Sequence, residues 1–327
     1  MTEIRARRES EDKNRIQDIT YYDRPVIHKP HWGWLIITYF FLGGLSGACY
    51  LIGLIADLVR FDVTGRLGKV CRYISLSSLI PCPVLLILDL KRPERFHHML
   101  RVLKLRSPMS VGTWVLSIFG LLSGAVTTAD LLRNILPQGK VNKFLHALDP
   151  MLSLAKVMAG LPAMFMTFYT AVLLAATAVP VWTKRAATLP LVFVSSSFSS
   201  ALAVTSLVTS ITKMFAVNKA LVSLQLWMIP IDFIVKLFFE RTLAHSLKFY
   251  LTDGRLKIVN LLGVRIIGEI FPLSLLLITR IRKANNPWIG RISSLMILLG
   301  ALASRYVVVK AGEKSAVDPK AVFEITR

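Results

Sequence analysis

The sequence predicts an all-α integral membrane protein with eight transmembrane helices, arranged as two four-helix bundles. Apolar residues make up 54% of the 327 residues and charged residues only 18%. Soluble domains average about 45–50% and about 25% for the same two classes. Eight continuous apolar runs each reach about 20 residues, the length that a helix needs to cross a bilayer. Because these runs do not alternate between polar and apolar positions, a strand barrel is excluded.

The eight runs follow one another closely, so little of the chain remains for a soluble domain. They lie at residues 32–59, 68–90, 111–133, 151–182, 188–215, 217–240, 257–280 and 288–311. A polar, basic tail precedes the first run, which is longer than the apolar part of a signal peptide, so we expect no cleavable signal. We therefore predict a basic tail at 1–31, a first bundle at 32–182, a second at 188–311 and a C-terminal tail at 312–327.

Particular residue types support individual helices. The first run carries Gly43, Gly44 and Gly47, and the fifth has five serines between positions 195 and 200. Such small residues favour close helix packing in lipid. Tryptophans lie near the ends of several runs, as is typical of membrane–water interfaces: Trp32, Trp34, Trp114, Trp182 and Trp288. Prolines interrupt or end the fourth, sixth and seventh runs: Pro162, Pro180, Pro230 and Pro272.

The charge distribution predicts the orientation of the chain. The net charge of +21, from 40 Lys and Arg against 19 Asp and Glu, would suggest a nucleic-acid partner for a soluble protein. In a chain this apolar, basic loops beside a membrane explain the charge better, and no nucleic acid is expected. The tail and loops on the N-terminal side hold about 23 Lys and Arg, against about 13 on the opposite side. The positive-inside rule then places both termini in the cytoplasm.

Cysteine and histidine positions argue against a redox centre within this chain. Cys49, Cys71 and Cys82 have no CxxC spacing, so neither an iron–sulfur cluster nor a zinc site is expected. A haem held by two histidines needs both inside the bilayer. The six histidines all fall in loops or near run ends: His28, His31, His97, His98, His146 and His245.

The densest group of polar residues lies between the second and third runs, in LDLKRPERFHHMLRVLKLRSPMSVGTW. One interpretation is a solvated basic loop, in which Asp89 pairs with Arg92 and Ser110 caps the third helix. That interpretation is weaker for Asp89, because this carboxylate ends a long apolar run, where an unneeded charge is costly.

Six sequence elements follow one another in order along the chain. They are WGWLIITYFFLGGLSGACYL in the first run; Asp89-Leu90-Lys91-Arg92-Pro93 with Arg95-Phe96; Ser107-Pro108-Met109-Ser110 with Gly112 and Trp114; Tyr169 to Leu174 with Pro180 and Trp182; Gly268-Glu269-Ile270 with Pro272; and Arg305-Tyr306-Val307-Val308 with Ala311-Gly312 and residues 315–319. Together they resemble the NrfD/polysulfide reductase membrane-subunit family over nearly the whole chain. Ala171 stands where that family usually has glycine.

The resemblance implies a helical anchor in a bacterial or archaeal cytoplasmic membrane, with a site for menaquinone or ubiquinone. It further implies electron exchange with an iron–sulfur subunit that serves a catalytic, often molybdopterin, subunit. Basic residues on the N-terminal side would dock that partner or act only as topology signals: Arg92, Arg95, Arg101, Lys104 and Arg106. The family places its partners on the outer face, whereas the charge count places this side in the cytoplasm, and we follow the charge count.

A quinone pocket needs hydrogen bonds to the ring oxygens and a titratable relay for protons. We expect Asp89, Tyr169 and His31 to take part in the reaction, and Tyr39, Arg92, His97 and Trp114 to bind the quinone. Asp89 can accept a proton, while Tyr169 or His31 can hydrogen-bond a ring oxygen. Alternatively, His31 is an interfacial residue beside Trp32 and Tyr39 is a core aromatic.

Two pairs with i,i+4 spacing lie in the second half, Asp232 with Lys236 and Arg265 with Glu269. Each pair either neutralises itself to permit burial or belongs to a proton path. Asp57 and Asp130, near the opposite side, are interpreted mainly as interfacial. Two other function classes stay open. One is a polytopic transporter, of whose signature of broken helices Pro162, Pro230 and Pro272 give only a faint version; the other is a passive anchor without its own quinone site.

Overall fold

The computed structural model describes residues 30, 32–62, 64–90, 92–135, 139–184, 186–243, 245–252, 254–282, 287–318 and 321–322. These residues form helices and connecting turns without any strand, and eight of the helices are long and apolar enough to cross a membrane. The predicted all-α membrane fold is therefore confirmed. The eight helices are α1 (Trp34–Leu58), α2 (Arg66–Leu88), α3 (Pro108–Ile135), α4 (Asp149–Ala175), α5 (Leu189–Ile211), α6 (Phe215–Thr242), α7 (Gly254–Ile281) and α8 (Pro287–Val317).

Successive helices alternate in direction, so α1, α3, α5 and α7 begin at one membrane face, which we call the N face. Helices α2, α4, α6 and α8 begin at the other, which we call the opposite face. Short helical segments lie between the spans: Pro93–Arg95, His98–Arg101, Lys140–Ala147, Pro180–Thr183 and His245–Thr252.

The fourth predicted run is too long at its C-terminal end. Residues 151–182 were expected to form one span, but α4 ends at Ala175 and Pro180–Thr183 form a separate short helix. The physical reason is Pro180, which occupies the first position of the short helix and disfavours a helical conformation for the residue before it. Val179 accordingly has an extended backbone.

Helix packing divides the chain into two rings of contacts. In the first ring α1 packs on α2, α2 on α3, α3 on α4 and α4 on α1; in the second, α5, α6, α7 and α8 do the same. Helix α5 also packs against α1 and α4, which joins the two rings. The small residues of α1 and α5 allow this close approach, since Gly44 lies directly beside Ser197.

Four spans depart from regular α-helical geometry. Helix α2 is interrupted between Leu79 and Pro81, α4 is interrupted between Met158 and Gly160, and α6 contains Pro230 within its length. In α7, the 12 residues Val259–Ile270 form a π-helical segment with wider i→i+5 hydrogen bonding. Such segments are rare and often occur at functional sites.

Candidate functional site

Two buried tyrosines lie together in the N-face half of the first ring. The Tyr169 hydroxyl on α4 donates a hydrogen bond of 2.8 Å to the carbonyl of Pro108, at the start of α3. The Tyr169 ring lies directly against Gly112, where a Cβ atom would come within 1.9 Å of its hydroxyl oxygen. Glycine at position 112 therefore makes room for Tyr169, and Pro108 fixes the direction of its hydroxyl.

The Tyr39 hydroxyl lies close enough to Tyr169 and Cys82 to interact with both electrostatically. The Tyr39 side chain is buried, at 2% exposure. Within the described part of the chain its hydroxyl has no hydrogen-bond partner. A buried phenol normally finds a partner, so the Tyr39 proton is available to a ligand.

Asp89 directly follows the last residue of α2, at the N-face end of the first ring. It is partly buried, and this burial raises the pKa of the Asp89 carboxyl above its usual range. The alternative pairing with Arg92 is not found among the described residues, where Arg92 is exposed. Asp89 thus lies at the edge of the membrane span without a cation from the described residues to hold it ionised.

The other residues predicted for a quinone site do not join the two tyrosines. His97 is exposed and lies beside His98, with their ring centroids 4.4 Å apart and the rings tilted by 46°. Trp114 lies two positions after Gly112, on a different side of α3, and its buried Nε1 has no partner among the described residues. His31 lies outside the described residues. Ser107, rather than Ser110, precedes α3 and accepts a hydrogen bond of 3.5 Å from the Ser110 N–H.

A cluster of three buried charges lies between α6 and α7 in the second ring. Lys236 donates to Asp232 and to Glu269, each over 2.7 Å. The Ser195 hydroxyl on α5 donates to the other Asp232 oxygen over 2.7 Å. The predicted pairing of Asp232 with Lys236 is confirmed. Lys236 also binds Glu269, which was expected to pair with Arg265 within α7.

The predicted pairing of Arg265 with Glu269 is wrong, because both side chains find partners on α6. Arg265 forms an ion pair with Glu240, which also accepts a hydrogen bond of 3.1 Å from Asn260. Helices α6 and α7 are antiparallel, so Lys236 and Glu240, one turn apart, meet Glu269 and Arg265, also one turn apart. Two ion pairs between α6 and α7 therefore neutralise four charged side chains, and the spacing of these residues in the sequence could not identify the partners.

A small cavity opens beside this cluster. Its volume is about 30 Å³, which is room for about two water molecules, since each needs about 10–15 Å³. The polar residues that line it include Lys236, Glu240, Asn260, Arg265, Glu269 and Ser304. One oxygen of Glu269 is buried and has no partner among the described residues. The cavity is therefore large enough to hold water beside this carboxylate.

Arg305 on α8 was not among the predicted site residues, although it interrupts an apolar run. It is buried, donates to the Phe193 carbonyl over 2.9 Å and to the Ser197 hydroxyl over 3.1 Å, and lies over the Phe193 ring. Its Nε and Nη1 atoms are buried without partners in the described part of the chain. Because Ser197 contacts Gly44 of α1, Arg305 lies at the junction between the two rings.

A second network of charges crosses the first ring near the opposite face. Arg72 donates to Asp57 over 2.6 Å and to Asp130 over 2.9 Å, and Lys156 donates to Asp57 over 3.0 Å. The residues come from α1, α2, α3 and α4. Asp57 and Asp130, interpreted from the sequence as interfacial, are held between helices and bind one shared arginine.

Comparison with known proteins supports the family resemblance that the sequence elements indicate. The family model described as polysulphide reductase, NrfD, matches residues 26–315. The chain belongs to this family. It is also similar to a selenate reductase subunit of Mesobacillus selenatarsenatis, with 28% identity over 88 residues, which are 27% of this chain. The match covers only 20% of the length of that relative.

In this NrfD-family chain, sequence elements that lie far apart along the chain contact one another in the structure. Gly112 in the third element leaves room for Tyr169 in the fourth. The Trp182 indole of the fourth donates to the Val308 carbonyl of the sixth over 2.9 Å, and Gly312 leaves room for that indole. Glu269 and Arg305, from the fifth and sixth, lie in the second ring.

Proposed function

We propose that this NrfD-family chain is the membrane subunit of a multisubunit oxidoreductase and exchanges electrons between a membrane quinone and an iron–sulfur partner subunit. Family membership supports the general assignment, and the similarity to a protein named as one subunit of a selenate reductase supports the presence of further subunits. The observation that carries the quinone assignment is the Tyr39 hydroxyl beside Tyr169, which belongs to a side chain that is only 2% exposed and lacks a hydrogen-bond partner among the described residues.

The tyrosine site has the chemistry that a quinone ring requires. Exchange between quinone and quinol moves two electrons and two protons, so the ring oxygens need hydrogen-bond donors and a route for protons. Tyr39 can donate to one ring oxygen, because its proton is not used elsewhere within the described chain. Tyr169 already donates to Pro108 and therefore has only its oxygen lone pairs to offer.

Asp89 supplies the titratable group in this proposal. It lies at the same membrane face as the start of α3, on which Tyr169 is anchored, and it is partly buried. A carboxyl whose pKa is raised by burial accepts a proton more readily near neutral pH than an ordinary aspartate does. Asp89 would thus exchange protons between the tyrosine site and water at the N face.

Exposed basic residues on the N face favour a partner with an acidic docking surface. Arg92, Arg95, Arg101, Lys104 and Arg106 are all exposed between α2 and α3, and complementary charge gives a complex its register. A charge-reversed Arg95→Glu/Arg101→Glu variant should weaken partner binding, and added salt should weaken the wild-type complex. If neither the charge reversal nor added salt weakens partner binding, these residues act only as topology signals.

The central test uses the assembled complex, purified with its partner subunits. Tyr39→Phe removes one hydroxyl and should lower quinone-coupled turnover at least tenfold, while electron transfer among the partner subunits to an artificial acceptor continues. Tyr73→Phe is the matched control, because Tyr73 lies at the opposite-face end of α2 and only accepts a hydrogen bond from Asn134. If Tyr39→Phe and Asp89→Asn both keep the wild-type rate, the chain is a passive anchor.

We further propose that protons cross the second ring through Asp232, Lys236 and Glu269. Buried ionisable residues inside membranes commonly mark such paths, and the adjoining cavity supports access by water. Glu269→Gln, measured in proteoliposomes containing the whole complex, should retain quinone turnover and lose coupled proton movement. Glu94→Gln, in the exposed N-face loop, is the control. Full coupling in Glu269→Gln would contradict the path.

A further inference from the structure

Helix α6 carries polar residues across the full thickness of the membrane. Asn218, Gln225 and Asp232 follow at seven-residue intervals, and Lys236 and Glu240 continue the series. Seven residues are close to two helical turns, so these side chains lie near one face of α6. From Asn218 to Glu240 the helix rises about 33 Å, against a hydrocarbon core of about 30 Å.

Gln225 is the member of this series that the proposed proton path leaves unexplained. Its side chain is 1% exposed, and both its amide nitrogen and its amide oxygen are buried without a partner among the described residues. On α8, Ser293 and Ser294 are fully buried, and their hydroxyls likewise lack partners within the described chain. Polar groups with no partner are costly inside a membrane, so these four atoms indicate a ligand that can donate and accept hydrogen bonds.

Their spacing from a shared apolar layer places Gln225 and Ser293 at one level of the second ring, and Ser294 is the next residue along α8. Ala203, Ile229, Leu276 and Ile297, one from each of α5 to α8, form a buried apolar layer, and partly buried Val222, Leu226, Leu273 and Leu298 pack against it. Gln225 lies one turn from Ile229 along α6, and Ser293 lies one turn from Ile297 along α8, both toward the opposite face. Pro230 has no N–H to donate to the Leu226 carbonyl, which adds a further acceptor beside Gln225.

We propose that Gln225, Ser293 and Ser294 bind water and form an opposite-face station of the proton path, a proposal that rests on the path through Glu269. The apolar layer separates this hydration site from the Asp232–Lys236–Glu269 cluster. Polar groups lead toward the hydration site from the opposite face, where Asn218 accepts from Ser206 over 2.8 Å and Arg291 donates to Ser210 over 3.0 Å.

Cysteine accessibility in the full complex tests the hydration site, because thiols react with small charged methanethiosulfonate reagents only where water reaches them. Gln225→Cys should react from the opposite face, as should exposed Lys219→Cys. Ile229→Cys in the apolar layer and Ile234→Cys on the outer side of α6 should stay unreactive. The three native cysteines are buried, and the wild-type complex gives the background. A Gln225→Cys variant as unreactive as Ile234→Cys, beside a reactive Lys219→Cys, would overturn the proposal.

A second variant keeps the proposal testable if Gln225→Cys does not assemble. Gln225→Leu has similar volume and no polar atoms, so in a dry site it would raise the midpoint of thermal unfolding and leave proton coupling unchanged. In a hydrated site it should lower coupled proton movement at least fivefold without raising that midpoint. The dry-site result would overturn the inference.

The failure of this inference can be distinguished from the failure of the proton path itself. An uncoupled Glu269→Gln complex with unreactive Gln225→Cys would keep the path and reject the hydration site as its station. A fully coupled Glu269→Gln complex would reject the path and, with it, the station, even if Gln225→Cys were reactive. Ile229→Ser adds a direct measurement: it should raise the passive proton permeability of proteoliposomes, whereas Ile234→Ser should not. An unchanged permeability in Ile229→Ser would contradict the role of the apolar layer.

Discussion

Tyr169 of α4 occupies the space that a side chain at position 112 of α3 would need. A Cβ atom built on Gly112 would lie 1.9 Å from the Tyr169 hydroxyl oxygen, which is held by the Pro108 carbonyl one turn earlier in the same helix. Two sequence elements that are far apart, one on α3 and one on α4, therefore fix the position of the Tyr169 hydroxyl, which lies near Tyr39.

The first prediction follows from this contact. Gly112→Ala should force Tyr169 away from Pro108, destabilise the chain by about 1–3 kcal/mol as overpacking typically does, and reduce quinone-coupled turnover. Gly124→Ala in the same helix is the matched control, because a Cβ atom there would meet none of the described residues within 4 Å. Thermal unfolding in detergent and turnover of the assembled complex measure the two effects. Equal behaviour of the two variants would show that the contact does not matter.

The second prediction concerns Lys236, which balances two buried carboxylates. Lys236→Met leaves Asp232 and Glu269 without their cation, and removal of one partner of a buried ion pair typically costs about 3–5 kcal/mol. Lys219→Met, at an exposed position of the same helix, should change stability little. The midpoint of thermal unfolding distinguishes them. A Lys236→Met variant as stable as wild type would mean that the carboxylates take up protons without penalty.

The third prediction concerns Arg72, which joins Asp57 and Asp130. Arg72→Met should lower stability by about 3–5 kcal/mol, because buried Asp130 loses its cation and half-buried Asp57 keeps only Lys156. Arg72→Lys should recover only part of the loss, since an ammonium group cannot reproduce the planar fork of donors. Exposed Arg66→Met, near the start of the same helix, serves as the control. Full recovery by lysine would contradict the importance of the two-sided geometry.

The fourth prediction is a pH dependence. Burial raises the pKa of Asp89 in the folded chain above its value in the unfolded chain, so folding favours the protonated form. The stability that this group contributes below its unfolded pKa is lost as pH rises through the folded pKa. Asp89→Asn should therefore remove this decline and gain stability relative to wild type toward neutral pH. Unfolding midpoints from about pH 4 to about pH 8, with exposed Glu94→Gln as control, provide the measurement; a difference that does not change with pH would refute it.

Much of the fold could be predicted from the sequence because lipid imposes a simple rule. Every backbone polar group must be satisfied within its own segment, so a long apolar run can only be a helix. The end of the fourth span was misplaced, since apolar residues continue beyond Ala175 until Pro180 starts a new helix. Hydropathy alone does not show where one helix ends and the next begins.

The candidate sites were less predictable, because their residues come from different helices. The pairing of Asp232 with Lys236 could be predicted, since both lie one turn apart on α6. The partners of Glu269 and Arg265 could not, because each side chain had an oppositely charged residue both on its own helix and on the antiparallel helix α6. Arg305 carried a signal, as a lone cation in an apolar run, but its partners Phe193 and Ser197 lie more than 100 residues away.

The sequence by itself determined the membrane class, the eight spans and the family of this chain, because hydropathy and ordered motifs are local properties. Only the tertiary structure decided which polar groups meet. In the folded chain Tyr169 donates a hydrogen bond to the Pro108 carbonyl, whereas Tyr39 has no hydrogen-bond partner among the described residues. Lys236 lies between two carboxylates. Pairing across helices depends on their direction, register and rotation, and in the membrane these are set by the packing of small side chains such as Gly44 against Ser197.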